Sequence, residues 1–234
     1  GKKIIAPGTV IVSSGGEVSA IRKVVSPVIK NIADSRLYYI DFSFDKLQLG
    51  GSAFAQPQGK VGSDVPTVKN AEYFRDAFMA IQQLVNEGLV LAGHDISAGG
   101  IITTLLEMCF ANTKGGLDLC FDKIQEADIV KILFAENPGV VIQVSDANAP
   151  RAKKILEDAG VAYAKIGKPA EGREITIHKN ISNAQVPNAK IADRDMVFTF
   201  DIDALRDVWY STSYLLDRRQ SFNGKADERY ANYK

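Results

Sequence analysis

Residues 89–110 read LVLAGHDISAGGIITTLLEMCF, and the way this stretch divides decides the fold of the chain. LVLAGHD is a short apolar run, the pattern of a strand buried in a sheet. An apolar helical run, IITTLLEMCFANTKGG, begins at Ile101, and the Gly115-Gly116 pair is expected to close it. ISAGG lies between the two as a turn. A strand, a glycine turn and a helix therefore sit together near the middle of the chain.

Upstream, RLYYIDFS (36–43) is rich in β-forming residues and reads as a strand leading into KLQLGGSAFAQ. PQGKVGSDVPTVK (57–69) is a Pro/Gly/Ser-rich loop. NAEYFRDAFMAIQQLVNEG follows as an amphipathic helix closed by Gly88, with Phe74, Phe78, Ile81 and Val85 on one stripe. Closer to the start, GTVIVSS (8–14) reads as a strand, and EVSAIRKVVSPVIK as a short helix stopped near Pro27.

Downstream, LDLCFD is a strand, ADIVKILFAEN a helix, GVVIQVS a strand and APRAKKILEDAGV a helix. AYAKIGKPAEGREITIH supplies two strands around a turn. Because the order is not strictly βαβ, the expectation is an α+β sandwich of mixed sheet and helices rather than a doubly wound sheet. SNAQVPNAKIADRD is polar, FTFDIDALRDVWYSTSYLLDRRQ reads as a helix, and SFNGKADERYANYK has a linker's composition and no apolar stripe.

Lys plus Arg and Asp plus Glu both count 28 in the 234 residues, so the formal charge is zero. That balance argues against nucleic-acid binding, which needs a basic excess or stripe. No apolar stretch approaches the length of a membrane span. Cys109 and Cys120 form no CxxC pair and are expected to be buried spectator thiols of a protein in a reducing cytoplasm.

The chemistry concentrates at HDISAGG, which holds one of the two histidines. The first N–H groups of a helix lack intrahelical partners and attract anions, and glycines let a phosphate approach them closely. Asp95 offers a hard oxygen suited to Mg²⁺, and Ser97 a hydroxyl for a phosphate oxygen. His94, its neighbour on a strand, is expected to face elsewhere. The alternative is a capped helix, with Asp95 or Ser97 as N-cap and the glycines forming the turn. Spacing alone favours the capped turn. Gly50-Gly51-Ser52 is a second anion-friendly arrangement, although Ser52 as an N-cap accounts for the same residues. No GxSxG or HExxH occurs, and His178 is expected to be structural or exposed.

Taken in order, LYYIDFSFDKLQLGGSAFAQ, VKNAEYFRDAFMAIQQLVNEGLVLAGHDISAGGIITTLLEMCFANTKGGLDL and LFAENPGVVIQVSDANAPRAKKILEDAG resemble the large phosphoribosylformylglycinamidine synthases of purine synthesis. WYSTSYLLDRR is similar to that family's segment after its second synthase half. The resemblance implies an aminoimidazole-ribonucleotide-synthetase C-terminal-type sandwich at 35–181. It implies the last strand and linker of a truncated N-terminal subdomain at 1–34, and at 182–234 a helical extension leading towards an absent glutaminase domain.

It further implies an ATP-dependent C–N ligase converting formylglycinamide ribonucleotide, glutamine and ATP to the amidine. The second half of these enzymes holds an auxiliary Mg-nucleotide, ATP or ADP. Carried over from the family's His-Asp-x-Ser-Asp-Gly-Gly motif, Asp95 becomes a Mg²⁺ ligand and Ser97 a nucleotide contact, with Gly99 and Gly100 beside it. Ala98 stands where many relatives have a second aspartate, so no metal contact is expected from that position. With the resemblance, the ligand reading of HDISAGG overtakes the capped turn. No catalytic residue is assigned, and neither cysteine fits a glutaminase nucleophile. The implied partners are the nucleotide, magnesium, and the N-terminal subdomain and glutaminase domain of the same polypeptide, without which the chain is expected to be inactive. The alternatives are another ATP-dependent member of the superfamily, which would lack the tail around Trp209, or a non-catalytic interaction module.

Overall fold

The computed structural model describes residues 12–13, 15–18, 20–181 and 194–233. Its strands are β1 (Ser35–Asp41), β2 (Val90–Asp95), β3 (Gly116–Cys120), β4 (Gly139–Ser145), β5 (Tyr163–Ala170), β6 (Glu174–Ile181) and β7 (Arg194–Asp201). Its helices are α1 (Ala71–Asn86), α2 (Gly100–Phe110), α3 (Ile129–Phe134), α4 (Ala149–Asp158), α5 (Ile202–Gln220) and α6 (Lys225–Asn232). The strands form one seven-stranded sheet in the order β2-β4-β1-β5-β3-β6-β7. All neighbours are antiparallel except β3 and β6. The mixed sheet agrees with the α+β expectation.

Helices cover both faces of this sheet. Side chains alternate along a strand, so β1 sends Leu37 and Tyr39 into one core and Tyr38 and Ile40 into the other. The first core takes Ile101, Leu105 and Met108 of α2 and Ile132 of α3. The second takes Tyr73, Ala77 and Leu84 of α1 and Ala152 and Ile155 of α4. Each fully buried Leu or Ile contributes about 1.5–3 kcal/mol. Gln143 on β4 is one of the buried polar side chains. Its amide donates to Lys30 O and Ser35 Oγ, and its oxygen accepts the Lys30 N–H, tying Lys30 to β4.

Several expectations shift. The buried face of α1 is Tyr73, Ala77, Ala80 and Leu84, one residue before the predicted stripe, and Phe78 is exposed. Small alanines face the sheet, where close approach counts for more than side-chain size. The helix α2 stops at Phe110, and Gly116 begins β3 instead of closing the helix. Among the described residues between Glu17 and Lys30 the one helical piece is a single 3₁₀ turn, Ile21–Lys23. The two strands expected around a turn form as β5 and β6, and in the sheet β3 lies between them.

FTFD belongs to β7, not to the helix after it. The tail forms α6, whose Ala226 and Tyr230, with Tyr233 at its C-cap, make a stripe against α5. Tyr233 stacks on Tyr210 at 4.2 Å and Tyr230 on Tyr214 at 4.1 Å. Cys109 is buried but Cys120 is exposed, and both are free thiols. The strand predicted at 8–14 and most of the polar 182–195 segment lie outside the described residues. Among the described residues no helix is long and apolar enough to cross a membrane.

Candidate functional site

The sheet ends at β2, and the last residue of that edge strand is Asp95. Ile96 then plunges into the core, its N–H held by Gly139 O at 2.8 Å, so the chain turns outward on either side of it. Ser97 and Ala98 are exposed. Two consecutive residues with positive φ, Gly99 at +90° and Gly100 at +72°, reverse the backbone into α2. Gly100 is buried against α3, and a Cβ there would lie 2.6 Å from Leu133 O.

The capped-helix account meets a specific obstacle. The N-cap of α2 is Gly99, with no side-chain cap bond, so neither Asp95 nor Ser97 caps the helix. Thr104 Oγ1 donates to Asp95 O at 3.0 Å and pins the strand end to the first turn of α2. The Asp95 side chain is 71% exposed. Its Oδ1 lies 3.1 Å from His94 Nδ1, while His94 Nε2 lies 2.9 Å from Glu107 Oε2 on α2. His94 therefore does not face away from Asp95 as expected. Its ring lies between the carboxylates of Asp95 and Glu107. Both residues border a mostly apolar cleft of about 340 Å³ that also takes in Val25, Pro27, Ile81 and Val140.

The two glycine amides are used internally, which corrects their expected mode of action. Gly100 N–H donates to Ser97 O at 3.0 Å. Gly99 N–H donates to Glu136 Oε1 at 2.8 Å, and the same oxygen accepts Ala53 N–H at 2.8 Å. The glycines shape the turn that holds Asp95 and Ser97 outward. Glu136 is a residue that sequence reasoning missed; it lies 37 positions from Gly99, and no local pattern marks it.

At Gly50-Gly51-Ser52 the anion reading fails. Gly50 N–H donates to Asp64 O and Gly51 N–H to Val61 O. Ser52 is fully buried, donating to Leu49 O at 2.7 Å and accepting from Ala55 N–H at 3.2 Å. Neighbouring Asn137, also buried, accepts Gln48 N–H and donates to Lys46 O and Ser43 Oγ, so this loop is braced from within.

His178 is half exposed, 3.4 Å from Asp118 Oδ1, and is remote in the sheet from β2. Among the described residues no group of three or more His, Cys, Asp and Glu could hold a metal ion. Asp95 fits a metal in a narrower sense. It is exposed, and its Oδ2 has no partner among the described residues, so it can supply one oxygen to a cation whose other ligands are water and phosphate.

A mixed sheet of this order, with helices on both faces and a glycine turn after its edge strand, defines a recognisable class. The family described as AIR synthase related protein, C-terminal domain, matches residues 35–180, and the chain belongs to that family. Within it, the chain is similar to proteins named phosphoribosylformylglycinamidine synthase. It is 33% identical over 222 residues to the probable chloroplastic/mitochondrial one of Arabidopsis thaliana, covering 94% of this chain and 15% of that protein. The Homo sapiens protein is 31% identical over 219 residues, covering 92% of this chain and 15% of its own length. The chain thus spans about 15% of the curated relatives it matches.

Two solved structures share the fold. Thermotoga maritima PurLQS superposes with a TM-score of 0.57 at 15% identity, covering 80% of this chain and 28% of that one. T. maritima PurL complexed with FGAR gives 0.58 at 16% identity, covering 80% and 30%.

Proposed function

We propose that this chain forms part of an ATP-dependent ligase that makes formylglycinamidine ribonucleotide from formylglycinamide ribonucleotide, glutamine and ATP, and that it contributes to an auxiliary Mg-nucleotide site there. The observation that carries the site is the outward display of Asp95 and Ser97 by a turn that uses neither as a helix cap. A carboxylate oxygen and a hydroxyl beside an apolar cleft match a nucleotide's parts: cation, phosphate and ring system. Relatives carry the name of this synthase, and a solved neighbour is titled as PurL complexed with ATP, which supports nucleotide as the ligand.

In this reading Asp95 supplies one oxygen to Mg²⁺, and Ser97 donates to a phosphate oxygen. Gly99 and Gly100 act through the shape of the turn. When bound, Mg²⁺ neutralises phosphate charge. The rest of the active protein lies in the remaining length of the relatives. Residues 1–34 belong to an N-terminal subdomain, 35–181 are the C-terminal subdomain of a second synthase half, and 182–234 lead towards a glutaminase domain. A cytoplasmic location is part of the reading.

Calorimetric titration with Mg-ADP tests it, with Asp95→Ala alongside. The expected result is a loss of at least about tenfold in affinity with an unchanged circular-dichroism spectrum. A variant that binds Mg-ADP as the parent does would remove Asp95 from the site.

A further inference from the structure

The helix α5 reaches the site from the opposite end of the chain. Its first turn is fixed where Arg173 clamps Asp203 at 2.8 Å, and the guanidinium holds that carboxyl below the usual carboxylate range. Arg173 also donates to Gly115 O, so the start of α5 is tied to the segment after α2. Further along, Trp209 leans on Phe110 of α2, with ring centroids 5.4 Å apart. Its indole N–H donates to Glu107 Oε1 at 3.2 Å. The other oxygen of the same carboxylate lies 2.9 Å from His94 Nε2, and His94 Nδ1 lies 3.1 Å from Asp95 Oδ1. Four side chains from β2, α2 and α5 form one continuous polar line.

That line narrows from solvent to interior and out again. Asp95 is 71% exposed at one end, His94 only 20% and Glu107 28% in the middle. Side chains held on both sides in partly buried surroundings transmit orientation, because each has few other rotamers that keep both contacts. A carboxylate offered to a metal works best when a neighbouring donor fixes one of its oxygens and leaves the other free. His94 Nδ1 is placed to fix Oδ1 of Asp95 in this way when that ring nitrogen carries a proton.

We propose that Asp95 is coupled to the C-terminal helix through His94 and Glu107, with His94 as the positioning residue, so that a divalent cation taken up by Asp95 is felt at Trp209. The second clause rests on the nucleotide reading above; the first does not. Trp209 is the only tryptophan, so its indole N–H gives one resonance in a ¹⁵N–¹H spectrum of the chain.

Asp95→Asn touches neither Glu107 nor Trp209 and sits at an exposed position. It is expected to shift the indole resonance in the same direction as Glu107→Gln, and to add no shift in a His94→Ala background. An indole peak that ignores Asp95→Asn, or a shift that persists without His94, would overturn the coupling. Spectral dispersion reports folding in every sample. If His94→Ala loses dispersion, His94→Gln replaces it, keeping reach towards Glu107 while giving up the contact with Asp95.

Titration with Mg-ADP then separates the two readings. A parent peak that moves while that of Asp95→Asn stays supports both. Calorimetric binding without movement of the indole peak would overturn the transmission to Trp209. A coupling intact to Asp95→Asn with no Mg-ADP binding would refute nucleotide binding by this chain on its own and leave the polar line standing.

Discussion

Two glycine turns look alike in this sequence and end up opposite in the fold. Gly50-Gly51-Ser52 turns inward: its glycine amides are taken by Asp64 and Val61, and its serine is buried in bonds to Leu49 and Ala55. Ser97-Ala98-Gly99-Gly100 turns outward: its glycines face the protein and its serine faces solvent. The difference comes from what lies opposite. The chain at 61–64 folds back over the first turn and takes its glycine amides, while the second follows the edge strand of the sheet with α3 behind Gly100. A glycine-serine turn becomes a candidate site when distant chain leaves its side chains unclaimed. Glu136 joins the two regions, its Oε1 accepting the N–H of Ala53, just after the first turn, and that of Gly99 in the second.

The largest expected effect comes from filling the space behind the outward turn. Gly100→Ala would place a Cβ 2.6 Å from Leu133 O at a φ of +72°, combining backbone strain with overpacking. A loss of about 3 kcal/mol in urea unfolding is expected. An unchanged midpoint would mean that α3 can retreat and that the turn is not held from behind.

The paired serines come next. Ser52→Ala removes a buried donor and acceptor and should cost about 1–2 kcal/mol. Ser97→Ala should change stability by less than about 0.5 kcal/mol and instead weaken Mg-ADP binding. Equal stability losses at the two positions would erase the inward–outward distinction.

The cysteines repeat the contrast on a smaller scale. Burial pushes the Cys109 thiol up from 9.0 to about 12, whereas Cys120 is exposed. Because the folded-state value is the higher one, stability is full below about pH 9 and declines as pH rises towards 12. Urea midpoints across that range should fall less in Cys109→Ala than in the parent. A thiol reagent at neutral pH should label Cys120 first and reach Cys109 only on unfolding.

Strand and helix types were legible wherever apolar period and glycine punctuation agreed, as from Leu89 to Phe110 and from Gly139 to Asp158. The site's outward residues, Asp95 and Ser97, were marked by the same punctuation. What stayed hidden was set by distant partners. Nothing near Gly99 announces Glu136, and nothing near His94 announces Glu107 and Trp209. The face of α1 was misread because Ala77 and Ala80, rather than the larger Phe78, point into the core. The tail's stripe was missed because Tyr230 and Tyr233 carry it, their rings stacking on Tyr214 and Tyr210 of α5 while the Tyr233 hydroxyl donates to Asp207 and the Tyr214 hydroxyl to Asp227 of the tail.

The strand order bears on how the chain is made. Of the six strand pairings, β6 with β7 is the single one that joins strands consecutive in sequence. The strand β1 must wait for β4 and β5, and β3 for β5 and β6, before either has a ladder. During synthesis from the N-terminus, the apolar strand LYYI emerges about a hundred residues before its first partner. Such long-range pairing makes for slow sheet formation and leaves that strand open to wrong neighbours, a hazard that chaperone binding to residues 36–43 would relieve.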